Sequence, residues 1–176
     1  MNETLIFIIN TVTSLYGTLL LIRFLLQLVR ADFYNPISQT VLKACAPVVE
    51  PLHILLPTIG RFNLAALMAP IIVKWSFYVL LALSGVLTGS IVSYLPVALF
   101  WLLQTLIEIY FWGIFILVIS SWVGTGSHPA VALISQVIDP YMSPFRKLIP
   151  PIGMIDISPM AAIFTLMIIR AQLLSV

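Results

Sequence analysis

The residues able to do chemistry gather in two places. The stretch from 139 to 159, D-P-Y-M-S-P-F-R-K-L-I-P-P-I-G-M-I-D-I-S-P, sets Asp139, Arg146, Lys147 and Asp156 among Pro140, Pro144, Pro150, Pro151, Pro159, Gly153 and Ser158. Two carboxylates beside a guanidinium and an ammonium suit ion pairing, or contact with anionic lipid headgroups or a partner surface. They do not suit a catalytic dyad, because each aspartate precedes an apolar helix start, where a carboxylate caps the backbone. The spacing predicts Asp139 as an N-cap with Pro140 at the first helical position, and Ser158 before Pro159 in the same roles. Between these helix starts lies a stiff turn at P-P-I-G, so the segment cannot be one continuous transmembrane helix. A capped connector with snorkelling cations is the simpler reading, and a dedicated binding site at Arg146 and Lys147 the sharper one.

The second place is the membrane interior. Lys74 and Glu108 interrupt long apolar runs, and an ionisable residue inside a span is costly and usually paired or functional. Lys74 falls about 15 Å along one run and Glu108 about 20 Å along the next, so both lie near the middle of a hydrocarbon layer of about 30 Å. They are expected to pair. A structural salt bridge between adjacent helices is the first reading, and an element of an ion or proton pathway the alternative.

Little other chemistry is available. His53 and His128 do not occupy equivalent positions and read as two interfacial histidines. Cys45, the single cysteine, forms no disulfide framework and reads as a small buried filler. There is no G-x-S-x-G, no H-E-x-x-H and no phosphate-cradling glycine loop, so no enzyme activity, metal or cofactor is expected.

These residues hang on a very apolar chain. Of its 176 residues 61% are hydrophobic and 8% charged, which places it among integral membrane proteins. A mean hydropathy of +1.15 agrees. The net charge of +2 is too small and dispersed for nucleic-acid binding. Four spans are expected, over about 4–29, 64–87, 95–123 and 159–174. The first opens with Asn2 and Glu3 in place of a basic segment and reads as a retained helix. Arg23 lies close enough to its end to snorkel to the headgroups. The connectors are 30–63, with an amphipathic stretch from Ile37 to Ala44, and 124–158. Trp75, Trp101, Trp112 and Trp122 read as lipid-facing anchors.

The two connectors follow one design. Pro36, Pro47, Pro51, Pro57 and Gly60 recur as Pro129, Pro140, Pro144, Pro150 and Gly153, all at one offset. The chain therefore reads as two parallel repeats, 1–91 and 92–176, each a helix, a proline-rich connector and a helix. Arg30, Lys43, Arg61, Arg146 and Lys147 fall in the connectors, so the connectors are expected to face the cytoplasm and both termini the outside.

The run D-P-x-x-x-P-x-R-x-x-I-P-P-x-G-x-x-D-x-S-P, from Asp139 to Pro159, resembles the signature of the YggT/YlmG family of small bacterial and plastid membrane proteins. The likeness spans the whole chain, since the duplicated form of that family also carries two copies. The second copy fits every fixed position. In the first, Ala46 stands for the motif aspartate, His53 for its arginine, Thr58 for the second proline, Asn63 for the second aspartate, and Ala65 and Ala66 for the serine and proline. The resemblance implies a multi-pass protein of the bacterial inner membrane. It also implies association with osmotic or salt stress and cation homeostasis, with the division region and, in plastids, with cytochrome b6f assembly and nucleoid organisation.

Two functions follow as expectations. One is a non-catalytic scaffold or assembly adaptor whose proline-rich connectors bind membrane lipids or an unidentified protein partner. The other is a cation transporter or channel subunit built around Lys74 and Glu108, with a kink at Pro70 and homo-oligomerisation supplying the pore.

Overall fold

Long runs of leucine, isoleucine, valine and phenylalanine with few charges form helices that stay apolar all round, as buried or membrane helices do. The computed structural model describes residues 2–126, 128–149 and 156–174, and it is all-helical apart from one small hairpin. Helix α1 covers Glu3–Leu28, α3 Leu64–Leu83, and α4 Leu95–Val123 after a 3-10 turn at Ile91–Tyr94. All three are long and apolar enough to cross a membrane. The last helix, α6, Ser158–Leu174, is apolar but has only 17 residues.

The connectors form longer helices than their prolines suggest. Helix α2, Pro36–Leu55, carries Pro47 and Pro51 inside it, and α5, Pro129–Leu148, carries Pro140 and Pro144. The expected N-cap at Asp139 is therefore corrected: Asp139 and Pro140 lie within α5. The reason is position on the helix. All four prolines lie on the exposed face, so the carbonyls that lose a partner can find one outside the protein. The true starts are Asn35 and His128, whose side chains accept from Ile37 N–H and Ala130 N–H with proline following. The P-P-I-G turn, with Pro150, Pro151 and Gly153, lies outside the described residues.

The opposite faces of α2 and α5 carry the packing. Ser38, Val41, Cys45 and Val49 recur every three or four residues on α2, and Leu133, Val137, Ile138 and Met142 form the like stripe on α5. The α2 stripe joins Leu20, Leu21, Phe24, Ala65 and Ala69 in a core between α1 and α3. Ile138 and Met142 join Ile107, Ile114, Ala162 and Leu166 in a second core between α4 and α6. Cys45 is fully buried, its thiol 3.7 Å from the Leu19 carbonyl.

Helix α5 begins and ends 93 residues after α2 does. In the first half the chain leaves α2 through strands β1, Thr58–Ile59, and β2, Phe62–Asn63, with Gly60 in the left-handed region at φ 62°. Across the halves, Asn35 donates to the Pro129 carbonyl at 3.0 Å and Asp32 N–H to Gln136 Oε1 at 2.9 Å.

Candidate functional site

The described part of the 139–159 stretch comes together as an ion cluster. Asp139 and Arg146 are two helical turns apart on α5, which brings them to one face. Arg146 Nη1 donates to Asp139 Oδ1 at 2.9 Å, and its Nε lies 3.9 Å from Asp156 Oδ2 at the head of α6. One guanidinium thus bridges two carboxylates from two elements. All three side chains are about half exposed, so the cluster adds little to stability and stays open to a ligand. Lys147, Pro140 and Pro144 are exposed beside it.

Asp156 does what a helix-start carboxylate should. Its Oδ1 accepts from Ser158 N–H at 2.9 Å. The Ser158 hydroxyl and then the Ser158 N–H hold the carboxyl below its usual range, with a smaller pull from Arg146. That hydroxyl has one proton to share between Asp156 and the Ile149 carbonyl 3.2 Å away, so Ser158 also ties α5 to α6. The cap falls to Asp156, not to the Ser158 side chain that the sequence suggests. Pro159 sits at the first turn of α6.

The first half holds the same joint in uncharged form. Asn63 Oδ1 accepts from Ala66 N–H at 3.0 Å. Its Nδ2 donates to Gln27 Oε1 at 2.9 Å and meets His53 Nε2 at 3.0 Å, so that ring nitrogen is the acceptor. Gln27 is missed by sequence reasoning, because a single amide on an apolar helix carries no spacing signal.

Lys74 and Glu108 do not pair. Lys74 Nζ donates to Asn10 Oδ1 at 2.7 Å and Ser14 Oγ at 2.8 Å on α1, and lies 5.1 to 5.8 Å from the rings of Phe77, Tyr78 and Trp101. Glu108 Oε1 instead faces Arg170 Nη2 of α6 at 3.4 Å. Similar depth on adjacent helices was the basis for expecting the pair, and direction around the helix decides against it. Lys74 points at α1, Glu108 at α6. Sequence reasoning missed Asn10 and Ser14, although two polar residues four apart mark one face of an apolar helix.

Two further expectations are corrected. Arg23 does not snorkel; it is buried and donates to the Leu42 carbonyl at 3.3 Å, because α2 folds back over the end of α1. Trp101 is not a lipid-facing anchor but packs on Gly17 and under Lys74, whereas Trp112 and Trp122 are exposed. Beside Trp101 a cavity of about 540 Å³ opens between α1, α4 and α5, lined by Thr18, Thr105, Glu108, Trp112, Ile134 and Val137.

The family model CCB3/YggT matches twice, over residues 2–84 and 96–176. The chain is similar to an uncharacterised protein of Pseudomonas aeruginosa, 38% identical over 96% of this chain and 87% of that protein. It is 34% identical to the uncharacterised protein YggT of Escherichia coli K12, over 96% and 88% of the two chains. To an uncharacterised protein of Haemophilus influenzae it is 30% identical, over 97% and 91%. No solved structure matches. With one family match in each half, and the Asp139-to-Pro159 motif unbroken in the second, this apolar helical chain belongs to the CCB3/YggT family.

Proposed function

We propose that the protein is a non-catalytic membrane scaffold or assembly adaptor that engages a partner through its connector helices. Four helices, α1, α3, α4 and α6, cross a bacterial inner membrane as two parallel repeats. Helices α2 and α5 lie on the cytoplasmic side, where Arg30, Lys43, Arg61, Arg146 and Lys147 all fall.

The observation that carries this reading is the exposed Asp139–Arg146–Asp156 cluster with Lys147 beside it. It sits on a helix whose apolar stripe is already committed to the core, so the charged face is presented outward on a rigid base. Prolines at 140 and 144 remove donors without adding flexibility, which keeps the ordering cost of binding low. The family's association with osmotic or salt stress fits an adaptor whose contact is ionic. The transport reading loses its central motif, since Lys74 and Glu108 act apart.

The test is photo-crosslinking in native membranes from a probe at Leu148, which is 79% exposed next to the cluster. Discrete protein adducts that vanish in Arg146→Ala/Lys147→Ala support a protein partner, and adducts to lipid alone point to headgroup binding. Adducts unchanged by that double variant would remove the cluster from the contact.

A further inference from the structure

Charged side chains inside membrane helices almost always face protein or a water-filled cavity. Glu108 and Arg170 face each other at the edge of a cavity between α4 and α6, yet within one chain their side chains stay 51% and 52% exposed. Their depth can be counted from the ion cluster at the head of α6. Arg170 lies about 18 Å beyond Ser158 at the rise of an α-helix, within a hydrocarbon layer of about 30 Å. Arg170 alone has the reach to snorkel outward, but Glu108, held to it at 3.4 Å, does not. The surroundings are apolar, with Trp112, Met167 and Leu174 all exposed. The pair lines, with Phe111, Leu166, Met167 and Ala171, a cavity of about 230 Å³ between the two helices.

We infer that this face is an intramembrane interface with a second copy of the chain, docked about a twofold axis along the membrane normal and centred on Glu108 and Arg170. The charges themselves select that occupant. Glu108 and Arg170 come from neighbouring helices and touch, so they lie side by side at one depth. Rotating a side-by-side pair by half a turn about the membrane normal sets each Glu108 opposite the other copy's Arg170. The face is therefore complementary to itself, as an isologous interface requires. Two acids and two arginines then close into one ring shielded from lipid, and the cavity between α4 and α6 receives apolar side chains from the facing copy. This inference rests on α6 crossing the membrane, as proposed above.

The test uses the full chain in proteoliposomes, with Met167→Cys or Ala171→Cys introduced beside the pair and a short bis-maleimide as crosslinker. Native Cys45 is buried and serves as the background. A product of twice the chain mass is expected from both variants, and not from Leu80→Cys on α3. Glu108→Gln should lower its yield at least tenfold, and the swap Glu108→Arg/Arg170→Glu should restore it, which separates lost docking from lost folding. Monomers alone, with Met167→Cys closed to a water-soluble maleimide, would overturn the interface while leaving α6 as a span. Rapid labelling of Met167→Cys by that reagent would overturn the span itself. Joining to a different protein in native membranes would replace the second copy with a hetero-partner.

Discussion

Asn63 meets His53 in the first half of the chain at the positions where Asp156 meets Arg146 in the second. Each of the two residues is 93 positions from its counterpart, and each pair joins a connector helix to the start of the next apolar helix. The first copy has thus kept the joint while exchanging an ion pair for a hydrogen bond. Asn63 is also the more buried partner, at 6% exposure against a half-exposed Asp156, which suits a neutral amide.

That exchange can be reversed by substitution. Asn63→Asp alone places an unpaired carboxylate in a buried site and is expected to cost about 3–5 kcal/mol. Adding His53→Arg supplies the partner found in the second half and should recover at least half of the loss. Thermal unfolding of both variants in the same detergent measures it; no recovery would mean that the two joints are not interchangeable.

Acid should loosen the second joint. The folded Asp156 carboxyl is held below its unfolded value, so its contribution is present above the ordinary carboxylate range of about 4 and is lost as pH falls through the folded value. Limited proteolysis around the 148–158 connector is expected to accelerate below about pH 4 in the native protein. In Asp156→Asn cleavage should be faster at neutral pH and show less of that rise.

Lys74 depends on α1 for its polar contacts. Asn10→Leu removes the acceptor at 2.7 Å and is expected to destabilise by about 1.5–3 kcal/mol, the range for hydrogen bonds to charged groups. Because Lys74 and Glu108 share no partner, the Lys74→Met/Glu108→Leu double variant should equal the sum of its singles within about 0.5 kcal/mol. Glu108→Leu and Arg170→Leu should not add, and a double-mutant cycle in unfolding distinguishes the two cases.

Two glycines separate rigid from yielding contacts. A Cβ at Gly17 would come 2.6 Å from the Trp101 ring, a rigid plane that can give only by turning as a whole and so leaving its place under Lys74. Gly17→Ala is expected to cost about 1–3 kcal/mol. At Gly113 the same atom would meet the end of the flexible Ile138 side chain. Gly113→Ala should come out near neutral, because alanine returns up to about 1 kcal/mol of helix propensity. Equal losses at both sites would show that the neighbour's stiffness is not what decides.

Much of this was legible in the residues. Long apolar runs marked α1, α3 and α4, and a constant proline and glycine offset marked the duplication. What escaped depended on direction more than on position. Proline types alone suggested breaks at 140 and 144, but only the fold shows that both fall on a helix's free face. Similar depth on adjacent helices suggested a Lys74–Glu108 pair, but azimuth sends Lys74 to Asn10 and Glu108 to Arg170. Arg23 looked like a snorkelling cation because nothing in its own helix says that α2 folds back over it.

One joint neutral and one ionic gives the molecule an unequal response to dissolved salt. The Arg146–Asp156 approach of 3.9 Å is exposed to solvent ions, whose screening distance shrinks from about 10 Å at 0.1 M to about 3 Å at 1 M. The His53–Asn63 contact carries no net charge to screen. Rising ionic strength therefore weakens the Arg146–Asp156 contribution to the α5–α6 joint and leaves its Ser158–Ile149 tie in place. The α2–α3 joint has no such ionic contribution to lose, so the two halves read the same medium differently.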